Sequence, residues 1–167
     1  FQETTRVLTD AAIKGKVDKL QGVEINLPYA SVGATENTIL AAVLADGQTV
    51  IENAAREPDV VDLVTMLKNM GAEIEGEGSS EIVINGVDKL NSANHSIIGD
   101  RIVAGTFLLA VASTGGEVIV EGINPVFLEM ELKKLKDMGM ATESNDNNIS
   151  IESDGRPKSC LLYTSPS

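Results

Sequence analysis

The hydrophobic and polar positions of the chain follow two periods, one helical and one extended. Apolar residues at spacings of four and three predict a helix that buries one face, begins near Pro58 and ends at Gly71. The residues of this apolar stripe are Val60, Val64, Leu67 and Met70. Short runs rich in Val and Ile predict strands at 49–52, 73–75 and 81–85. The pattern therefore indicates a mixed α/β (α+β) fold.

The same order of elements occurs twice along the chain. Residues 39–71 align with residues 107–139 at a constant offset of 68. Each copy predicts a buried helix of small residues, a strand, a second helix that begins at a proline, and two short strands. The second copy places these strands at 117–121, 141–143 and 148–152, and its second helix carries the stripe Leu128, Leu132, Leu135 and Met138. A strand ahead of each copy, predicted at 23–27 and 95–98, would complete a βαβαββ unit.

A single βαβαββ unit covers one face of its sheet and leaves the outer side of its helices bare. We therefore expect the units to pack against further copies around a shared helical core. Residues 1–21 are interpreted as the remnant of an earlier copy. The first residue is Phe rather than Met, so we expect the chain to be an internal piece of a longer protein.

The composition limits the kinds of partner. The chain has 167 residues, of which 43% are apolar, and this is enough to bury a core. No apolar run approaches the roughly 20 residues of a membrane-spanning helix, so we expect a cytoplasmic protein with no membrane partner. The net charge is −12, from 13 basic and 25 acidic residues. This charge repels a phosphate backbone, so nucleic acid is not an expected partner.

The single cysteine lies in an unusual tail. Cys160 begins the string CLLYTSPS, which resembles the translated adapter of transposon-based sequencing libraries. Residues 159–167 are therefore interpreted as an adapter-derived tail, and a short natural tail is the alternative. In either case Cys160 is a poor candidate for a nucleophile, and one cysteine cannot form an intrachain disulfide.

The segment YASVGATEN, residues 29–37, lies between a predicted strand and the first helix. Ser31 and Thr35 are residue types that cap helices, and Gly33 permits close approach of the backbone. The backbone N–H groups at this helix start could bind an anion such as a phosphate, and a simple cap is the alternative. In the second copy Asp100 would cap the matching helix. Arg101 could reach a carboxylate or phosphate there, or pair with Asp100.

Three charged residues, Arg56, Glu57 and Asp59, follow the first strand of the repeat. Glu57 is the better candidate for a carboxylate that faces a cleft, with a solvated loop as the alternative. Asp59 lies in the first turn of a helix, where it complements the helix dipole. His95, the single histidine, is expected in solvent. No metal-ligand spacing, phosphate-binding loop or dinucleotide fingerprint occurs, so no metal or cofactor is expected.

Three strings, SVGATEN, IENAAREPDVVDL and DRIVAGTF, together resemble the enolpyruvyl transferase family over residues 16–158. The string IENAAREP is the most specific, and it points to the members that act on UDP-N-acetylglucosamine. The resemblance implies an inside-out α/β barrel of two domains, each with three βαβαββ units, and substrates between them. Residues 1–94 would end one domain and residues 95–158 would continue the other. Residues 94–99 would form a hinge crossing.

The family resemblance also implies a reaction, the transfer of enolpyruvyl from phosphoenolpyruvate to the 3'-hydroxyl of UDP-N-acetylglucosamine. This is a step of peptidoglycan precursor synthesis and needs no cofactor. The family's proton donor, base and cationic residues have no match in this chain, so the chain alone is expected to be inactive. The alternatives are the shikimate-pathway relative and a non-catalytic repeat protein that binds nucleotide sugars.

Several site residues follow from the resemblance alone. Ser31, Val32 and Gly33 match the family's contact with the UDP portion. Tyr29 stands where some members have a lysine that helps to bind the substrate. The residues that match, or nearly match, family positions near the cleft are Glu57, Asp59 and Arg101.

Overall fold

The computed structural model describes the backbone of Thr4–Leu8 and Ala11–Gly15, and residues 18–159 in full. Residues 160–167 of the predicted adapter-derived tail, which include Cys160, lie outside the described residues, as does part of the predicted remnant at 1–21. The chain divides into two compact units, Phe1–Ser96 and Ile97–Ser167.

The first unit contains most of the predicted elements of the first copy. Its elements are β1 (Thr4–Leu8), β2 (Ala11–Gly15), β3 (Glu24–Asn26), α1 (Val32–Ala42), β4 (Gln48–Glu52), α2 (Pro58–Asn69), β5 (Glu73–Glu75) and β6 (Glu81–Asn85). Strands β1 and β2 form an antiparallel hairpin. The other four strands form a sheet in the order β3-β4-β6-β5, in which β3 and β4 run parallel and the remaining neighbours are antiparallel.

The second unit repeats this arrangement with fewer strands. Its elements are α3 (Arg101–Thr114), β7 (Gly116–Glu121), a 3₁₀ turn (Pro125–Leu128), α4 (Glu129–Asp137), β8 (Ala141–Asn145) and β9 (Asn148–Ser153). The strands form an antiparallel sheet in the order β7-β9-β8. The strand predicted at 95–98 is wrong, because these residues belong to no strand. In place of the Glu-Ile-Asn of β3, the preceding residues 92–94 are Ser, Ala and Asn, which favour strands weakly.

The first core is built by one face of the four-stranded sheet and the two helices that cover it. Ile51, Ile82 and Ile84 are fully buried on neighbouring strands, where Ile51 is paired with Ile82. The helices contribute Ile39 from α1, and Val60, Val64 and Leu67 from α2. The predicted apolar stripe of α2 is confirmed, since its first three residues are buried and Met70 packs against them. Gly71 follows the C-cap Met70 and stops the helix as predicted, with a φ of +98°.

The two copies are equivalent, but the constant offset of 68 is wrong. Ile39 and Ile51 are buried in the first copy, whereas the inward-facing counterparts in the second copy are Leu108 and Val120, 69 positions further along. The stripes of α2 and α4 keep the offset of 68. The connection between these elements also differs in length, since five residues separate β4 from α2, whereas three separate β7 from the 3₁₀ turn.

Helix α3 is apolar on both sides. Its inner side buries Ala104, Leu108 and Ala112, as expected for a helix that covers a sheet. Its outer side exposes four large apolar residues: Ile102, Val103, Phe107 and Leu109. A helix that is apolar all round is usually buried, so this surface agrees with the expected packing of further units around a helical core. None of the helices in residues 18–159 has the length and apolar content needed to cross a membrane.

Replacing Thr142 by valine is expected to stabilise the protein. The Thr142 hydroxyl is buried and has no hydrogen-bond partner among the described residues, and Ile74 takes the equivalent place in the first unit. Thr142→Val removes this desolvated hydroxyl, so we expect the free energy of unfolding to rise by about 1 kcal/mol. Urea denaturation measures the change. The control is Thr106→Val, which changes an exposed hydroxyl and should have little effect; equal effects of the two substitutions would contradict the prediction.

The ion pair between Lys68 and Glu77 is expected to make stability depend on pH in the acidic range. The hydrogen bond from Lys68 lowers the pKa of Glu77 below its usual 4.5. The pair therefore contributes its full stability above about pH 4.5, the ordinary pKa of a glutamate. The contribution is lost as the pH falls through the lowered pKa of Glu77. Because both side chains are partly exposed, the loss is at most about 1 kcal/mol. Glu77→Gln should remove this part of the acid sensitivity in urea denaturation at pH 3 to 6, whereas Glu75→Gln on the exposed side of β5 should not.

Candidate functional site

The start of α1 presents two backbone donors. Ser31 is the N-cap, and its hydroxyl accepts a hydrogen bond from the Ala34 N–H at 3.3 Å. The Thr35 N–H donates to the Ser31 carbonyl at 2.9 Å, which is the first bond of the helix. The Val32 and Gly33 N–H groups have no acceptor among the described residues. Together with the helix dipole, these two donors favour an anion at this position.

Nothing in the described part of the chain requires a glycine at position 33. Its φ is not positive, and a Cβ atom built on it would meet nothing within 4 Å. The space beside its backbone is therefore open. A glycine at this position therefore leaves the backbone N–H groups of the helix start accessible.

Thr35 is not a cap, which corrects one of the two residues predicted to cap α1. Its side chain is fully buried. The Thr35 hydroxyl donates to the Ser31 carbonyl at 2.8 Å and accepts a hydrogen bond from the Ala55 N–H at 3.0 Å. Thr35 therefore connects the start of α1 to the linker between β4 and α2.

The linker between β4 and α2, residues 53–57, is held at several points. Asn53 adopts a positive φ of 56°, and its amide donates to the Leu27 carbonyl at 2.9 Å. The Ala54 N–H donates to the Ser80 carbonyl at 2.9 Å. Ala54 and Ala55 are buried, whereas Arg56 is exposed and Glu57 is partly exposed. The linker thus has a buried base and a charged, accessible end.

The structure brings only some of the predicted site residues together. Ser31, Val32 and Gly33 form the start of α1, and Tyr29 lies 69% exposed two residues before the cap. Glu57 is the N-cap of α2 without a side-chain hydrogen bond, and Asp59 lies in the first turn of the same helix. These residues all belong to the first unit.

Arg101 belongs to the second unit, where it is the first residue of α3. The residue that caps this helix is Asp100, as predicted. Its carboxylate accepts from the Ile102 N–H at 2.8 Å and from the Val103 N–H at 3.0 Å. The start of α3 is therefore closed by a carboxylate, whereas the start of α1 is capped by a hydroxyl. A negative charge in the capping position makes α3 the less suitable of the two helix starts for an anion.

His95 is not solvated, contrary to the expectation from sequence. Its Nε2 atom lies 2.9 Å from Asp62 Oδ1 on α2, and the two side chains are 11% and 14% exposed. The chain after β6 returns along the end of α2, where the Asn91 N–H donates to the Met70 carbonyl at 2.8 Å. This path brings together residues that are 33 positions apart, for which the local sequence carries no signal.

An ion pair lies near the C-terminal end of α1, away from the helix start that presents the two donors. Lys19 pairs with Asp46 in the loop after α1, and more distantly with Asp88 at 3.7 Å. The hydrogen bond between Lys19 and Asp46 raises the pKa of Lys19 and lowers that of Asp46. Within residues 18–159, no group of three or more His, Cys, Asp and Glu side chains is placed to hold a metal ion.

The family model and the sequence relatives agree on one family. The family model of EPSP synthase (3-phosphoshikimate 1-carboxyvinyltransferase) matches residues 2–166. A UDP-N-acetylglucosamine 1-carboxyvinyltransferase of Corynebacterium efficiens is 51% identical over 98% of this chain and 38% of its own length. Proteins of the same name from Idiomarina loihiensis and Mycolicibacterium paratuberculosis are 49% and 47% identical over 92% of the chain and 37% of their own length. The chain thus spans a little over a third of these relatives.

Two solved structures share the fold. The enolpyruvyl transferase NikO from Streptomyces tendae superimposes with a TM-score of 0.72 at 23% identity, over 92% of this chain and 39% of that protein. An EPSP synthase from Acinetobacter baumannii gives a TM-score of 0.55 at 22% identity, over 92% of this chain and 37% of that protein. At these identities the likeness concerns the fold, and it agrees with the predicted α/β architecture.

Proposed function

The chain belongs to the EPSP synthase family of carboxyvinyltransferases, and on this basis we propose that it is part of a UDP-N-acetylglucosamine 1-carboxyvinyltransferase. Relatives with 47–51% identity over most of the chain carry that name. The structural observation that carries the proposal is the start of α1, where two backbone N–H groups without acceptors lie beside the open space at Gly33.

The start of α1 suits the diphosphate of a nucleotide sugar. A phosphate oxygen accepts hydrogen bonds from the Val32 and Gly33 N–H groups, and the helix dipole favours its negative charge. This local attraction acts although the net charge of the chain is −12. Tyr29, which is 69% exposed, offers a ring and a hydroxyl to the same ligand. In this proposal Ser31, Val32, Gly33 and Tyr29 form the UDP-sugar contact.

The proposed reaction transfers the enolpyruvyl group of phosphoenolpyruvate to the 3'-hydroxyl of UDP-N-acetylglucosamine and releases inorganic phosphate. The sugar oxygen forms a bond to C2 of phosphoenolpyruvate while C3 takes up a proton. Loss of the C3 proton and of phosphate then restores the double bond. This chemistry needs an acid, a base and cations for the phosphate and carboxylate groups. We assign these groups to the rest of the protein, and to this chain the binding of the nucleotide sugar.

Glu57, Asp59 and Arg101 are proposed as further residues of the substrate cleft. Glu57 is partly exposed at the accessible end of the linker, close in sequence to Ala55, which bonds to Thr35 of α1. Asp59 and Arg101 lie in the first turns of α2 and α3. The pathway role, peptidoglycan precursor synthesis in the cytoplasm, is part of the same proposal.

We also propose that residues 1–94 and 95–158 belong to different domains of the whole protein, with 94–99 as the crossing. The division of the chain into compact units falls between Ser96 and Ile97, which is inside the proposed crossing and two residues after the proposed boundary. His95 is bonded to Asp62 of the first unit and thus lies on the first unit's side of that division. The interpretation of residues 159–167 as an adapter-derived tail stays a prediction.

The release of inorganic phosphate tests the reaction and separates it from its alternatives. We expect the whole protein that contains this chain to release phosphate from phosphoenolpyruvate when UDP-N-acetylglucosamine is present. We expect no release when shikimate 3-phosphate replaces the nucleotide sugar, and none from the 167-residue chain alone. Release with shikimate 3-phosphate would favour the shikimate-pathway relative. Calorimetric binding of the nucleotide sugar without release would favour a non-catalytic binding protein.

Gly33→Ala is expected to weaken nucleotide-sugar binding without loss of stability. The added methyl group would occupy the open space beside the two N–H groups, where nothing else lies within 4 Å. We expect the Kd for UDP-N-acetylglucosamine to rise by roughly tenfold, the equivalent of one lost hydrogen bond to a charged group. Alanine favours a helix over glycine by about 0.5 to 1 kcal/mol, so the melting temperature should stay the same or rise.

Titration calorimetry of the whole protein measures the Kd of the Gly33→Ala variant, and thermal denaturation measures its stability. An unchanged Kd would contradict the placement of the diphosphate at the start of α1. A lower melting temperature would show instead that Gly33 serves the fold.

A further inference from the structure

We propose that Thr35 is a positioning residue for the nucleotide-sugar site. Its hydroxyl holds the start of α1 against the linker at residues 53–57. Thr35 does not touch the ligand in this proposal, because it is fully buried. It acts through Ser31, the cap of the helix whose N–H groups bind the diphosphate. The inference rests on the proposed function and extends it to a residue outside the ligand contact.

The Thr35 hydroxyl uses both of its hydrogen-bonding capacities. It donates to the Ser31 carbonyl at 2.8 Å and accepts from the Ala55 N–H at 3.0 Å. The Ser31 carbonyl also accepts from the Thr35 N–H at 2.9 Å. Ala55 is as fully buried as Thr35, so water cannot replace the hydroxyl as a partner for its N–H group. The bond therefore holds the first turn of α1 against the linker at residues 53–57.

A second bond holds the other end of the segment that precedes α1. The Asn53 amide donates to the Leu27 carbonyl at 2.9 Å. Residues 28–30, which include Tyr29, are exposed and lie between these two anchors, Leu27 and Ser31. The linker thus holds both ends of the segment that carries Tyr29 and leads to the start of α1. A change at Thr35 would release the end that lies next to the Val32 and Gly33 N–H groups.

The second unit shows that the fold does not require this hydroxyl. Ala104 stands four residues after the cap Asp100, as Thr35 stands four residues after the cap Ser31. Ala104 is buried and forms the same helix-on-sheet packing without a side-chain hydrogen bond. The linker of the second unit is also shorter, because two residues lie between Gly122 and Pro125, compared with four between Asn53 and Pro58. The hydroxyl and the longer linker occur together in the unit that contains the proposed site.

Steady-state kinetics of the whole protein tests the inference with three substitutions at Thr35. Thr35→Val keeps the shape and removes the hydroxyl, and Thr35→Ala copies the second unit. Both should raise the KM for UDP-N-acetylglucosamine by about tenfold, as expected for the loss of one buried hydrogen bond, with kcat lowered less than the KM is raised. Thr35→Ser keeps the hydroxyl and should restore the KM to within about twofold of wild type.

The matched control is Thr38→Val, one turn further along α1. The Thr38 hydroxyl donates to the Ala34 carbonyl at 2.8 Å, so it makes the same kind of bond to the helix but none to the linker. Its substitution should leave the KM for UDP-N-acetylglucosamine unchanged. Melting temperatures of all four variants separate effects on the site from effects on stability.

Each outcome decides for or against the positioning role. An unchanged KM in Thr35→Val and Thr35→Ala, with wild-type activity present, would overturn it and leave the proposed function intact. If neither variant folds while Thr38→Val does, Thr35 serves the fold and the inference is wrong. Failure of the Thr35→Ser rescue would also overturn it. If the wild-type protein neither binds nor turns over UDP-N-acetylglucosamine, the proposed function itself fails, and the inference fails with it.

Discussion

The parallel pairing of β3 with β4 is the constraint on which the candidate site depends. Ile25 pairs with Ile51, so the two strands run side by side and end at the same edge of the sheet. A helix follows each strand, and both helices cover the same buried face. The two strand-to-helix loops therefore meet. Their meeting makes it possible for Asn53 to reach the Leu27 carbonyl, and for Thr35 to accept from the Ala55 N–H.

The second unit has the same helices and antiparallel strands but lacks a parallel strand pair among its described residues. Among its described residues no strand lies parallel to β7, and the sheet has three antiparallel strands. Within residues 97–159, one strand-to-helix loop lies at that edge, and it is two residues shorter than its counterpart. Gly122 occupies the position equivalent to Asn53 and also has a positive φ, 80°. It has no side chain that could donate a hydrogen bond to a neighbouring loop, as the Asn53 amide does. Each unit thus has its own core of the same kind, and the two differ where the first one forms its proposed site.

The repeat could be read from sequence because its signals are local. The α2 stripe, the glycine that ends the helix and the caps Ser31 and Asp100 depend on neighbours within one or two turns. Local signals also placed the donors at the start of α1, since an N-cap defines where the first N–H groups lie. The strand predicted at 95–98 failed for the opposite reason. A strand needs a partner, and no pattern within those four residues reports one.

The sequence by itself determined the order of the elements, the buried faces of the helices, the family and the residues at the start of α1. Only the tertiary structure decided which distant residues join them. Thr35 and Ala55 are 20 positions apart, Leu27 and Asn53 are 26 apart, and Asp62 and His95 are 33 apart. Each of these contacts exists because the sheet order and the path of the chain bring two segments together. Local propensity carries no information about such contacts, since it depends on the backbone of one segment at a time.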